Sequence, residues 1–253
     1  MSVIYGRPKG LNANQSIYCP GCTHGLEHKL VMEVLEELGV LDRTIGVTSV
    51  GCSGLMYRIL NTEVVTSLHG RAPAVATGIK AVQPDSIVYI HQGDGDALSI
   101  GMGETISAAS RGENITVIFA NNNIYGMTGG QMASTTMIGD KATTCPAGRD
   151  ASLDGNPMKA AELVSQVNGS KYVERVALFD VPHILKAKKA IKKAFQNQID
   201  GHGYSFVEIL STCPTNWHLD PLASMEKVKN EMVNVYPLGV FKDEEAACRH
   251  PAT

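Results

Sequence analysis

Ser86-Ile87-Val88-Tyr89-Ile90 runs as an apolar strand into Gly93-Asp94-Gly95-Asp96. Ile115-Thr116-Val117-Ile118-Phe119-Ala120 runs as a second into Asn121-Asn122-Asn123-Ile124-Tyr125-Gly126, and a helical stretch from Leu98 to Ala109 lies between them. A short apolar run, a polar turn, a helix and another apolar run make a βαβ unit whose strands are buried on both faces. Outward from this unit the alternation continues. His24 to Leu38 has helical spacing of apolar residues, Thr44 to Val50 and Val64 to Leu68 are β-rich, and Ala72 to Val82 is a small-residue helix. Beyond the unit follow a helix over 158–167, a strand over 172–178, a helix over 183–198 and a strand over 204–210. The expected fold is α/β, a doubly wound and largely parallel sheet in one domain over 1–253, with an N-terminal arm (1–23) and a wrapping C-terminal tail (212–253). Tyr125 to Pro157 breaks the pattern, and a structureless stretch of about thirty residues inside a compact domain is usually functional.

The two polar turns carry matched chemistry. Asp94 stands 28 positions before Asn122, and each follows a strand, where ligands of open α/β sheets gather. One carboxylate (Asp94), one carboxamide (Asn122) and one backbone carbonyl (Ile124) are hard oxygen donors suited to Mg²⁺ holding a diphosphate. Gly93 and Gly95 let the backbone turn sharply and approach the phosphates, where free N–H groups at the start of the next helix favour negative charge.

Cysteines supply a second constellation. Cys19-Pro20-Gly21-Cys22 is a CxxC, Cys52 lies in Gly51-Cys52-Ser53, and Cys213 follows the strand over 204–210. Cys52 and Cys213, each just after a strand, are expected at the same sheet edge as Asp94 and Asn122, with the CxxC pair joining from the arm. Four thiolates can hold Zn²⁺ or an iron–sulfur cluster. One pair and two isolated ligands converging beside a cofactor pocket, with a cysteine–proline neighbour, favour the cluster. Cys145 and Cys248 read as small hydrophobic residues.

Composition narrows the remaining classes. With 22 basic and 25 acidic residues the net charge is -3, spread without blocks, so neither nucleic acid nor an anionic membrane is an expected partner. No apolar run reaches the length of a membrane span and residues 1–14 lack a signal-peptide core, so a cytoplasmic setting is expected. Six cysteines there point to metal binding or chemistry rather than to disulfides.

Taken together, the Asp94/Asn122 spacing, the four cysteines, His69-Gly70-Arg71, Gly78-Ile79-Lys80 and the run from Asn121 to Gln131 make the chain resemble the β subunit of a 2-oxoacid:ferredoxin oxidoreductase, of the 2-oxoglutarate or 2-oxoisovalerate type. The resemblance reaches to about residue 220. It implies a thiamine diphosphate-binding domain of the diphosphate type, with Asp94, Asn122 and Ile124 as Mg²⁺ ligands and Cys19, Cys22, Cys52 and Cys213 as ligands of a [4Fe-4S] cluster. Gly51, Cys52, Ser53, His69, Gly95, Asp96, Gly126, Met127 and Thr128 are implied to line the cofactor, with His69 a catalytic candidate. The implied reaction is oxidative decarboxylation of a 2-oxoacid to acyl-CoA and CO₂, with coenzyme A as acceptor and electrons passing through the cluster to ferredoxin.

The family's activating glutamate belongs to a pyrimidine-binding domain, so a partner (α) subunit is expected to supply it, within a hetero-oligomer of further subunits. Glu104 and Glu113 read as ordinary helix-face residues, and Arg71 and Arg149 as structural ion pairs or surface charges rather than contacts to a substrate carboxylate. A cluster-free decarboxylase or synthase subunit, or a non-catalytic scaffold with a structural four-cysteine metal site, is the alternative. The cysteines argue against the first and the intact oxygen donors against the second.

Overall fold

The computed structural model describes residues 6–244; Cys248 and the end of the tail lie outside them. In chain order the elements are α1 (His24–Glu37), β1 (Thr44–Thr48), β2 (Glu63–Thr66), α2 (Ala72–Val82), β3 (Ile87–Gly93), α3 (Met102–Arg111), β4 (Thr116–Asn121), β5 (Ile124–Tyr125) and β6 (Gln131–Met132). Then come α4 (Ala151–Asp154), α5 (Ala160–Ser165), β7 (Ser170–Ala177), α6 (Val181–Ile199), β8 (Tyr204–Leu210), α7 (Pro214–Trp217), α8 (Pro221–Lys227) and β9 (Gly239–Asp243).

Seven strands form one sheet in the order β2-β1-β3-β4-β8-β7-β9, parallel throughout except for β9, which pairs antiparallel with β7. Every residue of β4 and β8 is buried, as strands covered on both faces require. One apolar core, with Val31, Leu35, Ile191 and Phe195, lies under α1 and α6. The other, with Ala76, Ala108, Phe119 and Phe206, lies under α2, α3 and α5.

Register fixes where the functional turns fall. Thr48 pairs with His91, Gly93 with Ala120 and Asn121 with Leu210, so β1, β3, β4 and β8 end nearly level. Because β2 and β3 flank β1 on opposite sides, the chain reverses its winding direction between β1 and β3, and there a crevice opens at the carboxyl ends.

Two expectations need correction. The tail does more than wrap: after α7 and α8 it returns as β9 and extends the sheet. Buried Arg175 on β7 anchors this return, pairing with Glu162, with Glu208 at 2.9 Å and with the Pro237 carbonyl at 3.0 Å, and lying over the rings of Tyr236 and Phe241. The helix expected from Leu98 begins instead as a π-helical turn over Gly95–Ile100, closed by Gly101 N–H to the Asp96 carbonyl at 2.9 Å. Gly101 packs directly on the backbone of Gly70, where a Cβ would meet the Gly70 carbonyl oxygen at 2.5 Å. A wider turn of this kind is a feature frequent at functional sites.

Candidate active site

Asp94 closes β3 and is buried, and its carboxylate is already surrounded by donors. Gly95 N–H donates at 2.7 Å and the Thr135 hydroxyl at 2.5 Å. Burial pushes its carboxyl up to about 6, against the opposing pull of Thr135 and the backbone N–H groups of Gly95, Asn123 and Ile124. Such a carboxylate gains when a cation arrives. Gly95 is obligatory because the Tyr125 ring occupies the place of a Cβ, at 2.2 Å, while the Tyr125 hydroxyl donates to the Gly95 carbonyl at 3.0 Å.

The three asparagines divide their work. Asn121 points into the protein and donates to Glu208 at 2.7 Å. Asn122 lines the cleft and accepts from Ile124 N–H at 3.3 Å. Asn123 takes the left-handed conformation, φ 59°, which turns the chain out of the sheet at a cost that asparagine tolerates better than most residues.

An open cleft lies over this edge. All the expected cofactor-lining residues (Gly51, Cys52, Ser53, His69, Gly93, Gly95, Asp96, Gly126, Met127, Thr128) and the expected oxygen-donor residues Asp94, Asn122 and Ile124 line it, together with His24, Val50 and Tyr125. At Gly51 and Gly93 nothing stands within 4 Å of where a Cβ would be, so the backbone there is open to a ligand's close approach.

Asp96 lines the cleft with its carboxylate engaged on several sides. Its carboxylate accepts from the Ser49 hydroxyl, the Gln92 amide, Gly70 N–H at 2.6 Å and His69 Nδ1. Asp96 thus bonds to His69 while also lining the cleft. Holding Nδ1–H on the carboxylate leaves the other ring nitrogen, Nε2, free as an acceptor or proton carrier. The Thr128 hydroxyl is likewise engaged, with Gln131 at 2.5 Å.

Two of the cysteines, Cys52 and Cys213, meet at one end of the cleft. Cys52 lines it. A Cβ at Gly126 would stand 3.4 Å from Cys52 Sγ and 3.3 Å from Cys213 Sγ, so both sulfurs sit directly behind that residue. The CxxC turn closes through Cys22 N–H to the Cys19 carbonyl at 3.0 Å. It is stitched to the end of β8 by the Thr212 hydroxyl to the Gly21 carbonyl at 2.6 Å and by Thr212 N–H to the Thr23 hydroxyl at 3.1 Å.

Burial pushes the Cys52 thiol up to about 11, and Cys213, Cys19 and Asp94 add to the effect. Cys22 and Cys213 are raised by burial too, with the other cysteines contributing. Three thiols raised by burial and by neighbouring cysteines form a set which positive charge would relieve. Among the described residues no three His, Cys, Asp or Glu side chains are grouped as for one metal ion.

Beneath the cysteines lies a network that sequence reading did not anticipate. Glu27, fully buried, is within hydrogen-bonding distance of His91 at 3.1 Å, of the Thr23 hydroxyl at 3.3 Å and of the Ser211 hydroxyl. His24 meets Cys22 Sγ at 3.3 Å, and His28 meets the Tyr18 hydroxyl at 2.8 Å. Burial holds both His24 and His28 below the ordinary histidine range. The available signal was that 24, 27 and 28 share the helical face of Val31 and Leu35, which made them interior positions despite their polarity.

Neither Arg71 nor Arg149 lines the cleft. Arg71 pairs with Glu104 at 2.7 Å, as expected. Arg149 is neither an ion pair nor a surface charge: buried, it donates to the backbone carbonyls of Ala133, Ser134, Thr136, Asp154, Gly155 and Asn156 over 2.6–3.3 Å. Cys145 packs with Ile124, Ala142 and Cys213 in a small apolar cluster, in keeping with its reading as a small hydrophobic residue.

Residues 49–209 match the thiamine pyrophosphate enzyme family's C-terminal TPP binding domain. The 2-oxoglutarate synthase subunit KorB of Archaeoglobus fulgidus is 35% identical over 239 residues, covering 90% of this chain and 85% of its own. The chain belongs to the β-subunit family of the 2-oxoacid:ferredoxin oxidoreductases. The ketoisovalerate oxidoreductase subunit VorA of Methanothermobacter thermautotrophicus is 44% identical over 243 residues, 96% of this chain. The chain spans about half (51%) of that relative's length. A solved 2-oxoglutarate:ferredoxin oxidoreductase from Magnetococcus marinus, with 2-oxoglutarate, coenzyme A and succinyl-CoA bound, superposes with a TM-score of 0.75 at 26% identity, covering 97% of this chain and 90% of its own. Among the described residues no helix is long and apolar enough to cross a membrane.

Proposed function

We propose that this chain carries the diphosphate-binding half of a thiamine diphosphate site, and beside it a [4Fe-4S] cluster, in a coenzyme A-dependent 2-oxoacid:ferredoxin oxidoreductase. The observation that carries this reading is the shared wall at Gly126: one residue lines the cleft that holds Asp94 and Asn122 and also backs onto the sulfurs of Cys52 and Cys213. A site that only released CO₂ would have no use for thiols at that wall.

The donor sets suit the two groups. Asp94, Asn122 and the Ile124 carbonyl would hold Mg²⁺, with the open backbone at Gly51 and Gly93 accommodating the diphosphate. Cys19, Cys22, Cys52 and Cys213 would hold the cluster. When bound, thiamine diphosphate supplies an electron sink for decarboxylation. The chain's own residues bind, orient and shield. His69, held by Asp96, presents Nε2 toward the cleft as the acid–base candidate, and the apolar side chains of Val50 and Met127 at the mouth exclude water once a partner covers them.

A second subunit is part of the proposal. Glu104 is taken by Arg71 and Glu113 by Arg111, so the glutamate that activates the cofactor comes from a pyrimidine-domain partner, in an assembly that hands electrons to ferredoxin. With Arg71 and Arg149 engaged elsewhere, a 2-oxoacid with an apolar side chain, of the 2-oxoisovalerate kind, is the first substrate to try. The five cysteines among the described residues form no disulfide, which leaves the four candidate ligands available to a cluster.

The test is anaerobic. The protein should carry about four irons and four sulfides per chain, gain thermal stability from thiamine diphosphate with Mg²⁺, and reduce viologen with a 2-oxoacid and coenzyme A only when its partner is present. Iron-free protein holding one zinc would overturn the cluster assignment, and unaided turnover would overturn the need for a partner.

A further inference from the structure

Asn216, on α7 and three residues beyond Cys213, reaches back over that cysteine in the manner of helical i, i+3 neighbours. Its Nδ2 lies 3.2 Å from Cys213 Sγ and 2.9 Å from the Gly126 carbonyl oxygen. A carboxamide nitrogen carries two hydrogens, and these two acceptors use both. The contact also fixes which way the amide faces, because Oδ1 turned toward the Gly126 carbonyl would set oxygen against oxygen. Gly130, at φ 83°, makes room on the other side: a Cβ there would meet Asn216 Oδ1 at 3.1 Å. The amide thus joins a ligand sulfur to the carbonyl of the residue shared with the cofactor cleft.

We propose that Asn216 is a positioning residue that sets the reduction potential of the cluster held by Cys19, Cys22, Cys52 and Cys213 and keeps the Gly126 wall against it. A hydrogen bond donated to a ligand sulfur withdraws electron density and favours the reduced, more negative cluster, so it raises the potential. Loss of the donor lowers it. A carboxylate in its place lowers it further by adding negative charge beside the sulfur. This inference rests on the cluster reading of the four cysteines.

The experiment is an EPR-monitored redox titration of the anaerobically purified complex, after iron and sulfide analysis of each protein. The midpoint potential should fall in Asn216→Leu and fall further in the isosteric Asn216→Asp, while Thr215→Ala, an exposed neighbour on the same turn, keeps the wild-type value. Fully loaded Leu and Asp variants that titrate with the wild type would overturn the proposal. Should neither variant retain iron, Asn216→Gln, which keeps the donor, decides: iron retention supports the role and iron loss rejects it. A wild type without iron defeats the cluster reading itself, and this inference falls with it.

Discussion

The oxygen-donor side of the cleft and its sulfur side are built in opposite ways. Asp94 and Asn122 end two adjacent central strands and are held by near neighbours: Gly95, Thr135, Ile124 and the Tyr125 ring that demands glycine at 95. The cysteines come from three separate parts of the chain. Only Cys52 and Cys213 follow strands, while Cys19 and Cys22 sit on an arm stitched down by Thr212, Thr23 and the Glu27 network, with Pro221 of the tail pressed on Gly21. The sheet pre-forms one side, and the other is complete only when the arm is docked against it. Damage to the arm should therefore reach the sulfurs and spare the oxygens.

Glu27→Ala tests this most severely. It leaves His91 and two hydroxyls without their buried partner, and the expected cost is about 3–5 kcal/mol of stability, read by denaturant titration, with iron content falling and thiamine diphosphate affinity per folded molecule unchanged. Equal loss of both would erase the contrast.

Asp94→Asn attacks the other side. Calorimetry should show Mg²⁺-dependent cofactor affinity reduced by more than about a hundredfold, with the iron-to-protein ratio intact. In the wild type, the Asp94 carboxyl held at about 6 must be ionised to accept the metal. Binding should accordingly be flat above that pH and weaken by about tenfold per unit below it.

Thr135→Val removes a supporting donor rather than a ligand, for which about 10–100-fold in affinity is expected. His28 gives a smaller, pH-graded effect. Its folded pKa is depressed by burial, so the unfolded chain takes up the extra proton as pH falls through about 6.5, and stability drops with it by at most about 1.4 kcal/mol per unit. His28→Phe should flatten that part of the melting-temperature profile. Arg71→Ala, at a half-exposed pair, should cost under about 1 kcal/mol.

Sequence periodicity located most of this molecule. The helix over 72–82 and the strand over 204–210 have the bounds that the apolar spacing indicates, and the Asp94 and Asn122 turns lie at strand ends as their composition suggests. What escaped was decided by distant partners. The tail's return as β9 depends on β7 for its pairing and on Arg175 for its anchor, neither of which leaves a local signal. The Glu27 network was hidden because counting apolar positions treats a buried glutamate and two buried histidines as solvent-facing. Arg149 escapes for a related reason: an arginine serving carbonyl oxygens has no acidic partner in the sequence to mark it.

That last residue changes what the irregular stretch after β5 is. Ala133, Ser134 and Thr136 at one end and Asp154, Gly155 and Asn156 at the other all deliver their carbonyls to a single guanidinium. Thr136 and Thr144 add hydroxyl contacts to Ala133 and Met132 N–H. Loops are ordinarily where nicking and insertion are tolerated, but a segment whose two ends share one cation cannot be lengthened or cut at its base without stranding a buried charge. A protease offered the folded protein should pass over the base at 133–136, and an epitope tag placed at that base should cost more than one placed at an exposed loop tip.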